Sequence, residues 1–231
     1  MERCVKRIML DIKEIQSDPD PSFFYIPDET NALKGHAIII GREGTPYAHG
    51  FYLFEFVFPT NYPFSPPVVT FLNGDGRTRF NPNLYVSGKV CLSILNTWSG
   101  EKWSACQSIR SVLLSISILI LNEEPFLNEP GIARTHCSFK PYHQLLEYKN
   151  IEVCILKYLR LEQVPTVFQS YHPMFVSYFV KHYDQIIDVL KKENTFVDIT
   201  VFQDQSCFLN YLSLEQETRR VYDIVKIDIN N

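Results

Sequence analysis

Apolar residues recur along this chain in two rhythms, and the change from one to the other marks out its elements. Between residues 3 and 16, Val5, Ile8, Met9, Ile12 and Ile15 share one face of a 3.6-residue period, while Lys6, Arg7, Lys13 and Glu14 fall elsewhere. The spacing predicts an N-terminal helix, stopped by Ser17-Asp18-Pro19-Asp20-Pro21. Three runs rich in β-branched and aromatic residues follow: Ala37 to Ile40, Phe51 to Phe58 and Val68 to Phe71. The segments between them, Gly41–Gly50 and Pro59–Pro67, are short for crossover helices, so the pattern predicts an antiparallel meander.

From Leu72 to Lys102 the periodicity vanishes among turn formers, Gly74, Gly76, Asn81-Pro82-Asn83, Ser87-Gly88 and Gly100. A loop of that length in a compact domain is often functional. Ser104 then precedes a helix through Leu121, whose wide apolar stripe (Ile109, Val112, Leu113, Ile116, Ile120) marks it as the central core helix. Pro125, Pro130 and Gly131 end it in a second loop. Beyond about residue 141 the spacing predicts helices over Tyr142–Leu161, Pro173–Glu193 and Cys207–Val225, with a strand-like alternation over Phe196–Phe202. Pro141 or the stretch Gln163–Pro165 is the expected module boundary. The late helices set Phe175, Val176, Phe179, Val180, Tyr183, Ile186 and Ile187 against Lys181, Asp184 and Asp188. Such a face packs on the rest of the chain or binds a partner, and the pattern leaves both open.

Composition narrows the class. With 231 residues, 45% of them hydrophobic and 21% charged, the chain can bury a sizeable core without disulfides or a metal. A net charge of −4 disfavours nucleic acid as a partner. The most apolar run, Val112–Leu121, is about half a membrane span, so no membrane is expected. The start, MERCVKRIMLDIKEIQ, mixes acids and bases and reads as neither a signal nor a transit peptide. Six cysteines without a CxxC pair read as reduced thiols, and the expected location is cytoplasmic or nuclear.

Four of those cysteines (Cys4, Cys106, Cys154, Cys207) fall in helical patterns and Cys137 lies near a loop; all five are expected to be small buried hydrophobes. Cys91 differs. It lies in the turn-rich loop between Ser87-Gly88-Lys89-Val90 and Leu92-Ser93-Ile94-Leu95, where apolar anchors could keep a thiol rigid yet accessible. The six histidines form no protease signature with it, the adjacent pair His136-Cys137 is poorly spaced for one ion, and no metal site is expected.

Phe58-Pro59-Thr60-Asn61-Tyr62-Pro63-Phe64-Ser65-Pro66-Pro67, Phe80-Asn81-Pro82-Asn83 and Gly88-Lys89-Val90-Cys91-Leu92 occur in order, followed by Trp98, Trp103-Ser104 and Val112-Leu113-Leu114-Ser115-Ile116. In this the chain resembles ubiquitin-conjugating enzymes, over about Arg3 to Leu127 and on toward Leu159. It is most similar to their large atypical sub-group with C-terminal extensions. The resemblance implies an α+β fold: a four-stranded antiparallel β-meander flanked by α-helices over residues 1–160, then a mostly helical extension over 161–231.

The resemblance also implies chemistry. Cys91 would accept ubiquitin, or a ubiquitin-like modifier, as a thioester from an activating enzyme. It would then pass it to a lysine of a protein substrate or to a ubiquitin ligase. The alternative is an inactive module of the same fold that grips ubiquitin or a ligase. No cofactor is implied, because ATP is used by the activating enzyme upstream. Only Lys89 is cationic close to Cys91, so reactivity is expected to come from positioning.

Asn83, eight residues before Cys91, matches the family's Asn, which donates to the oxyanion or holds the loop. The usual His of His-Pro-Asn is replaced by Asn81, and an Asp common at the mouth of the site by Ser93. The acid that would orient a lysine is assigned to Glu129, with Asn128 beside it and Glu123 and Glu124 as competitors. Lys6 and Arg7 on the first helix, Phe64 in the Pro-rich loop and Ala105, in place of a frequent Pro, match the family's partner-facing positions; Tyr62-Pro63 is a candidate cis peptide.

Overall fold

The computed structural model describes residues 2–202 and 205–230, with the side chains of the last three of these left aside. Helix α1 (Glu2–Ser17) leads into β1 (Phe23–Pro27), β2 (Lys34–Ile40), β3 (Phe51–Val57) and β4 (Val68–Phe71), an antiparallel meander in sequence order. The core helix α2 (Ile109–Ser115) continues as a π-helical turn over Ile116–Ile120. Then come α3 (Phe139–Lys149), a second π turn (Asn150–Ile155), short 3₁₀ turns, α4 (His172–Lys181), α5 (Tyr183–Leu190), a hairpin of β5 (Thr195–Val197) with β6 (Cys207–Leu209), and α6 (Tyr211–Asn230).

The fourth strand implied by the resemblance is β1, at the sheet's edge. Pro27 ends it, where a missing N–H costs no ladder bond. Several boundaries differ from the pattern. Pro141 sits in the first turn of α3, where a missing N–H is harmless, so it is not a boundary. The helix expected from Pro173 to Glu193 breaks at His182, and Cys207–Leu209 is strand rather than helix, paired with Thr195–Val197, which takes in only Phe196 and Val197 of the expected strand. Met9 is 57% exposed. Its place in the buried stripe of α1 goes to Cys4 and Asp11, because Asp11 accepts from the Tyr62 hydroxyl and from Arg7 Nε at 2.7 Å.

Strand β2 is buried along nearly its whole length, unusual for an antiparallel sheet, which commonly keeps one wet face. The reason is the later part of the chain. Phe24, His36 and Phe51 share one face of the sheet, and Tyr171, Phe168 and Phe175 pack on them at ring separations of 6.0, 5.7 and 4.5 Å. On the other face Tyr52, Phe54 and Phe71 meet Tyr47 and Phe80. One apolar core thus runs from Cys4 to Val225, and the amphipathic late helices pack on the sheet. Burial of this size, at about 25 cal/mol per Å², is the dominant favourable contribution to the fold.

Candidate active site

The loop after β4 returns alongside that strand before reaching Cys91. Lys89 bridges Thr70, and Leu84 bridges Val90. Gly88 enables the approach: its φ is +88°, and a Cβ there would lie 2.9 Å from the Phe71 carbonyl oxygen. Cys91 is then fixed by a reciprocal pair of bonds. Its N–H donates to the Asn83 carbonyl, and Asn83 Nδ2 donates to the Cys91 carbonyl, both at 2.8 Å. Thr97 Oγ1 accepts from the Leu92 N–H at 2.9 Å and lies 2.8 Å from the Val90 carbonyl, to which it donates.

Cys91 is buried, with 2% of its surface exposed, where loop placement suggested an accessible thiol. What it meets is a cleft of about 340 Å³ lined by Asn83, Cys91, Leu92, Ser93, Trp98, Ile118, Leu119, Ile120, Asn122 and Asn128. Asn83, Ser93 and Asn128, expected beside the thiol, are therefore brought together there. Glu129 is not on the cleft wall, Glu123 is exposed, and Glu124 is tied to Arg134 Nε at 2.7 Å. The acid expected at the mouth is thus replaced by amides.

Those amides cap the end of the core helix. The last carbonyls of a helix have no intrahelical partner, and those of Leu119 and Ile120, at the end of the π turn over Ile116–Ile120, are taken by side-chain donors. Asn81 Nδ2 donates to the Ile120 carbonyl at 2.7 Å, and Asn122 and Asn128 Nδ2 each donate to the Leu119 carbonyl at 2.9 Å. Asn128 accepts from Asn122 at 2.9 Å, and Asn81 Oδ1 accepts from the Asn83 N–H at 2.8 Å. Asn81 is wholly buried and also donates to the Tyr47 hydroxyl at 3.0 Å, so it anchors the turn. Asn122 was not singled out from the sequence; its signal was a lone amide directly after the most apolar helix of the chain.

The positions expected to face partners divide. Phe64 is 80% exposed, beside a Tyr62–Pro63 bond that is cis. Lys6 is exposed and pairs with Glu2 at 2.9 Å. Arg7 turns inward: Nη1 donates to the Ala105 carbonyl at 2.7 Å and Nη2 to the Gln107 carbonyl at 2.5 Å, tying α1 to the loop before α2. Cys4 and Cys154 are buried as expected, whereas Cys106 and Cys137 are exposed and Cys207 half-buried, because their segments are loops and a short surface hairpin. No helix among the described residues is long and apolar enough to cross a membrane.

A sheet of this order, carrying a loop cysteine braced by an asparagine beside a core helix, defines a ubiquitin-conjugating fold. The family model described as ubiquitin-conjugating enzyme matches residues 7–155, and the chain belongs to that family. Among individual proteins it is 41% identical over 186 residues to ubiquitin-conjugating enzyme E2 Z of Xenopus tropicalis, covering 79% of this chain and 58% of that one. To the Homo sapiens E2 Z it is 45% identical over 156 residues, 66% of this chain and 44% of the relative. The dual E2 ubiquitin-conjugating enzyme/E3 ubiquitin-protein ligase BIRC6 of Homo sapiens is 43% identical over 168 residues, 70% of this chain and 3% of that one. The chain spans roughly half the length of the E2 Z relatives, and the match supports the large atypical sub-group.

Proposed function

We propose that this chain accepts ubiquitin or a ubiquitin-like modifier on Cys91. The Cys91 sulfur attacks the thioester carbonyl on the activating enzyme, whose thiol leaves. A lysine amine of a substrate, or a ligase cysteine, then attacks the new thioester; an isopeptide or a ligase thioester forms and the Cys91 thiol is released. The observation that carries this reading is the reciprocal clamp between Asn83 and Cys91 in a cleft lined by amides. Asn128 and Ser93 orient the incoming amine from that wall, and Phe64 with Lys6 offers a ligase-facing anchor of exposed aromatic and cationic groups. Positioning rather than an acid–base residue supplies the rate.

The chain needs no cofactor of its own in this scheme. The extension over 161–231 is proposed as a structural cover of the sheet, with the boundary near residue 160. Free cysteines throughout the described residues support a reducing compartment, cytoplasmic or nuclear, which fractionation would check.

The direct test mixes the protein with activating enzyme, ATP and ubiquitin and compares reducing with non-reducing gels. A ubiquitin-sized shift that dithiothreitol removes and Cys91→Ala lacks is the expected outcome. No shift with ubiquitin or with any other modifier would leave the non-catalytic binding module in its place.

A further inference from the structure

Beside the sheet, three side chains from distant parts of the sequence converge. Glu43 and His49 come from the loop between β2 and β3, and His182 from the junction of α4 and α5. One ligand atom of each lies within 4.8 Å of the other two. His49 is buried and holds a φ of +64°, a conformation that non-glycine residues seldom adopt. Strain of that kind clusters at functional positions. Its ring stacks on His182 with centroids 4.7 Å apart, and its Nδ1 lies 3.5 Å from the Tyr178 hydroxyl.

The surrounding polar groups arrange these side chains as ligands. Gln185 donates from Nε2 to Glu43 Oε1 at 3.4 Å, which turns its amide oxygen to His182 Nδ1 at 2.7 Å. An amide oxygen only accepts, so in neutral His182 the proton sits on Nδ1 and Nε2 carries a lone pair. A metal-binding histidine characteristically has its second nitrogen held in this way.

We propose that Glu43, His49 and His182 form a site for a divalent transition metal of the zinc type. Two imidazoles and one carboxylate, with a water in the fourth position, make an established tetrahedral set, and imidazole donors suit such ions better than magnesium or calcium. A tetrahedral ion with ligands near 2.0–2.1 Å holds them roughly 3.4 Å apart. The set must therefore close by about 1.5 Å at most, with the stacked rings fanning apart. Exposed Glu43 and half-buried His182 are the groups placed to move. The ion would join the β2–β3 loop of the family domain to the α4–α5 corner of the extension, and binding only to the folded chain would stabilise that contact.

Cobalt(II) serves as the probe, added to the full chain after treatment with a chelator. The expected result is one equivalent bound at micromolar affinity or tighter, with visible ligand-field bands, no near-ultraviolet thiolate charge-transfer band, displacement by zinc, and a zinc-dependent rise in Tm. Glu43→Gln and His182→Ala should each weaken binding at least tenfold. His49→Gly should abolish it while the fold survives, because glycine suits the positive φ. Absence of both the visible bands and the zinc-dependent Tm rise overturns the proposal. So does cobalt binding that shows a thiolate band and persists in His49→Gly, which would assign the metal to cysteines such as exposed Cys106 and Cys137.

Discussion

Asn83 is the residue whose replacement separates scaffold from chemistry. Its Nδ2 carries two hydrogens, and one is committed to the Cys91 carbonyl at 2.8 Å. The side chain lines the cleft, so the second hydrogen can be aimed at the thioester carbonyl without breaking the first bond. Asn83→Ala removes both. Loss of the bond to the Cys91 carbonyl leaves a buried acceptor without that donor, at about 1–3 kcal/mol of stability. For a chain of this size that is a fall in Tm of about 2–12 °C. Loss of an oxyanion donor costs about 2.7–4 kcal/mol of transition-state stabilisation, or ~10²–10³ in rate, only where the amine attacks. The two consequences are read apart by single-turnover experiments: thioester formation in a pulse, then discharge to free lysine after the activating enzyme is stopped. Charging should stay within about twofold of wild type while discharge falls by ~10²–10³. Asn83→Asp, which accepts but cannot donate, should discharge as poorly. If charging and discharge fall in parallel, Asn83 only shapes the loop; if neither falls, the oxyanion argument is wrong.

Four further outcomes follow from contacts described above. Asp11→Ala strips Arg7 and the Tyr62 hydroxyl of a buried partner and should cost about 3–5 kcal/mol in a urea melt, with Asp11→Asn milder. Phe175→Ala, which empties the seat against Phe51, should cost about 3–5 kcal/mol and lower Tm by roughly 10 °C. Asp75 has a side chain 24% exposed; burial alone would raise its pKa, but the Thr78 and Arg77 N–H groups, the Thr78 hydroxyl and Lys149 bring it down to about 2. A depressed folded-state pKa means the contribution is present above about pH 4 and lost as pH falls toward 2. Asp75→Asn should therefore cost on the order of 1–2 kcal/mol at pH 6, after allowance for solvent screening, and progressively less as pH falls through about 2. Phe64→Ala should leave stability within about 0.5 kcal/mol and slow only ligase-dependent transfer, measured against ligase-free discharge.

What was legible in the chain was what local order writes. The Phe51–Phe58 and Val68–Phe71 runs, the apolar stripe from Ile109 to Ile120 and the motif around Cys91 each lie within one stretch, so period and spacing reveal them. What tertiary contact decides was hidden. The buried place of Asp11 depends on Tyr62 and Arg7, and Met9 on the same helix stays 57% exposed. Strand β6 forms because Cys207–Leu209 finds Thr195–Val197, against a helical reading of its own residues. The cleft's amide character escaped because Asn122 becomes a wall residue through its bonds to the Leu119 carbonyl and to Asn128, which periodicity does not show. Glu43, His49 and His182 lie more than a hundred residues apart at the extreme, beyond any spacing rule.

The backbone bonds around Cys91 bear on how such a site could be regulated. The two peptide groups that flank Cys91 are each pinned, by Thr97 and by Asn83, so the sulfur has no loop of its own to swing. It is an anvil rather than a hammer: the mobile participants are the modifier's tail and the arriving amine. A ligase that speeds discharge would then act by narrowing the orientations those participants sample. Its effect should register mainly in the activation entropy of transfer, with the intrinsic reactivity of the sulfur toward small alkylating reagents left unchanged.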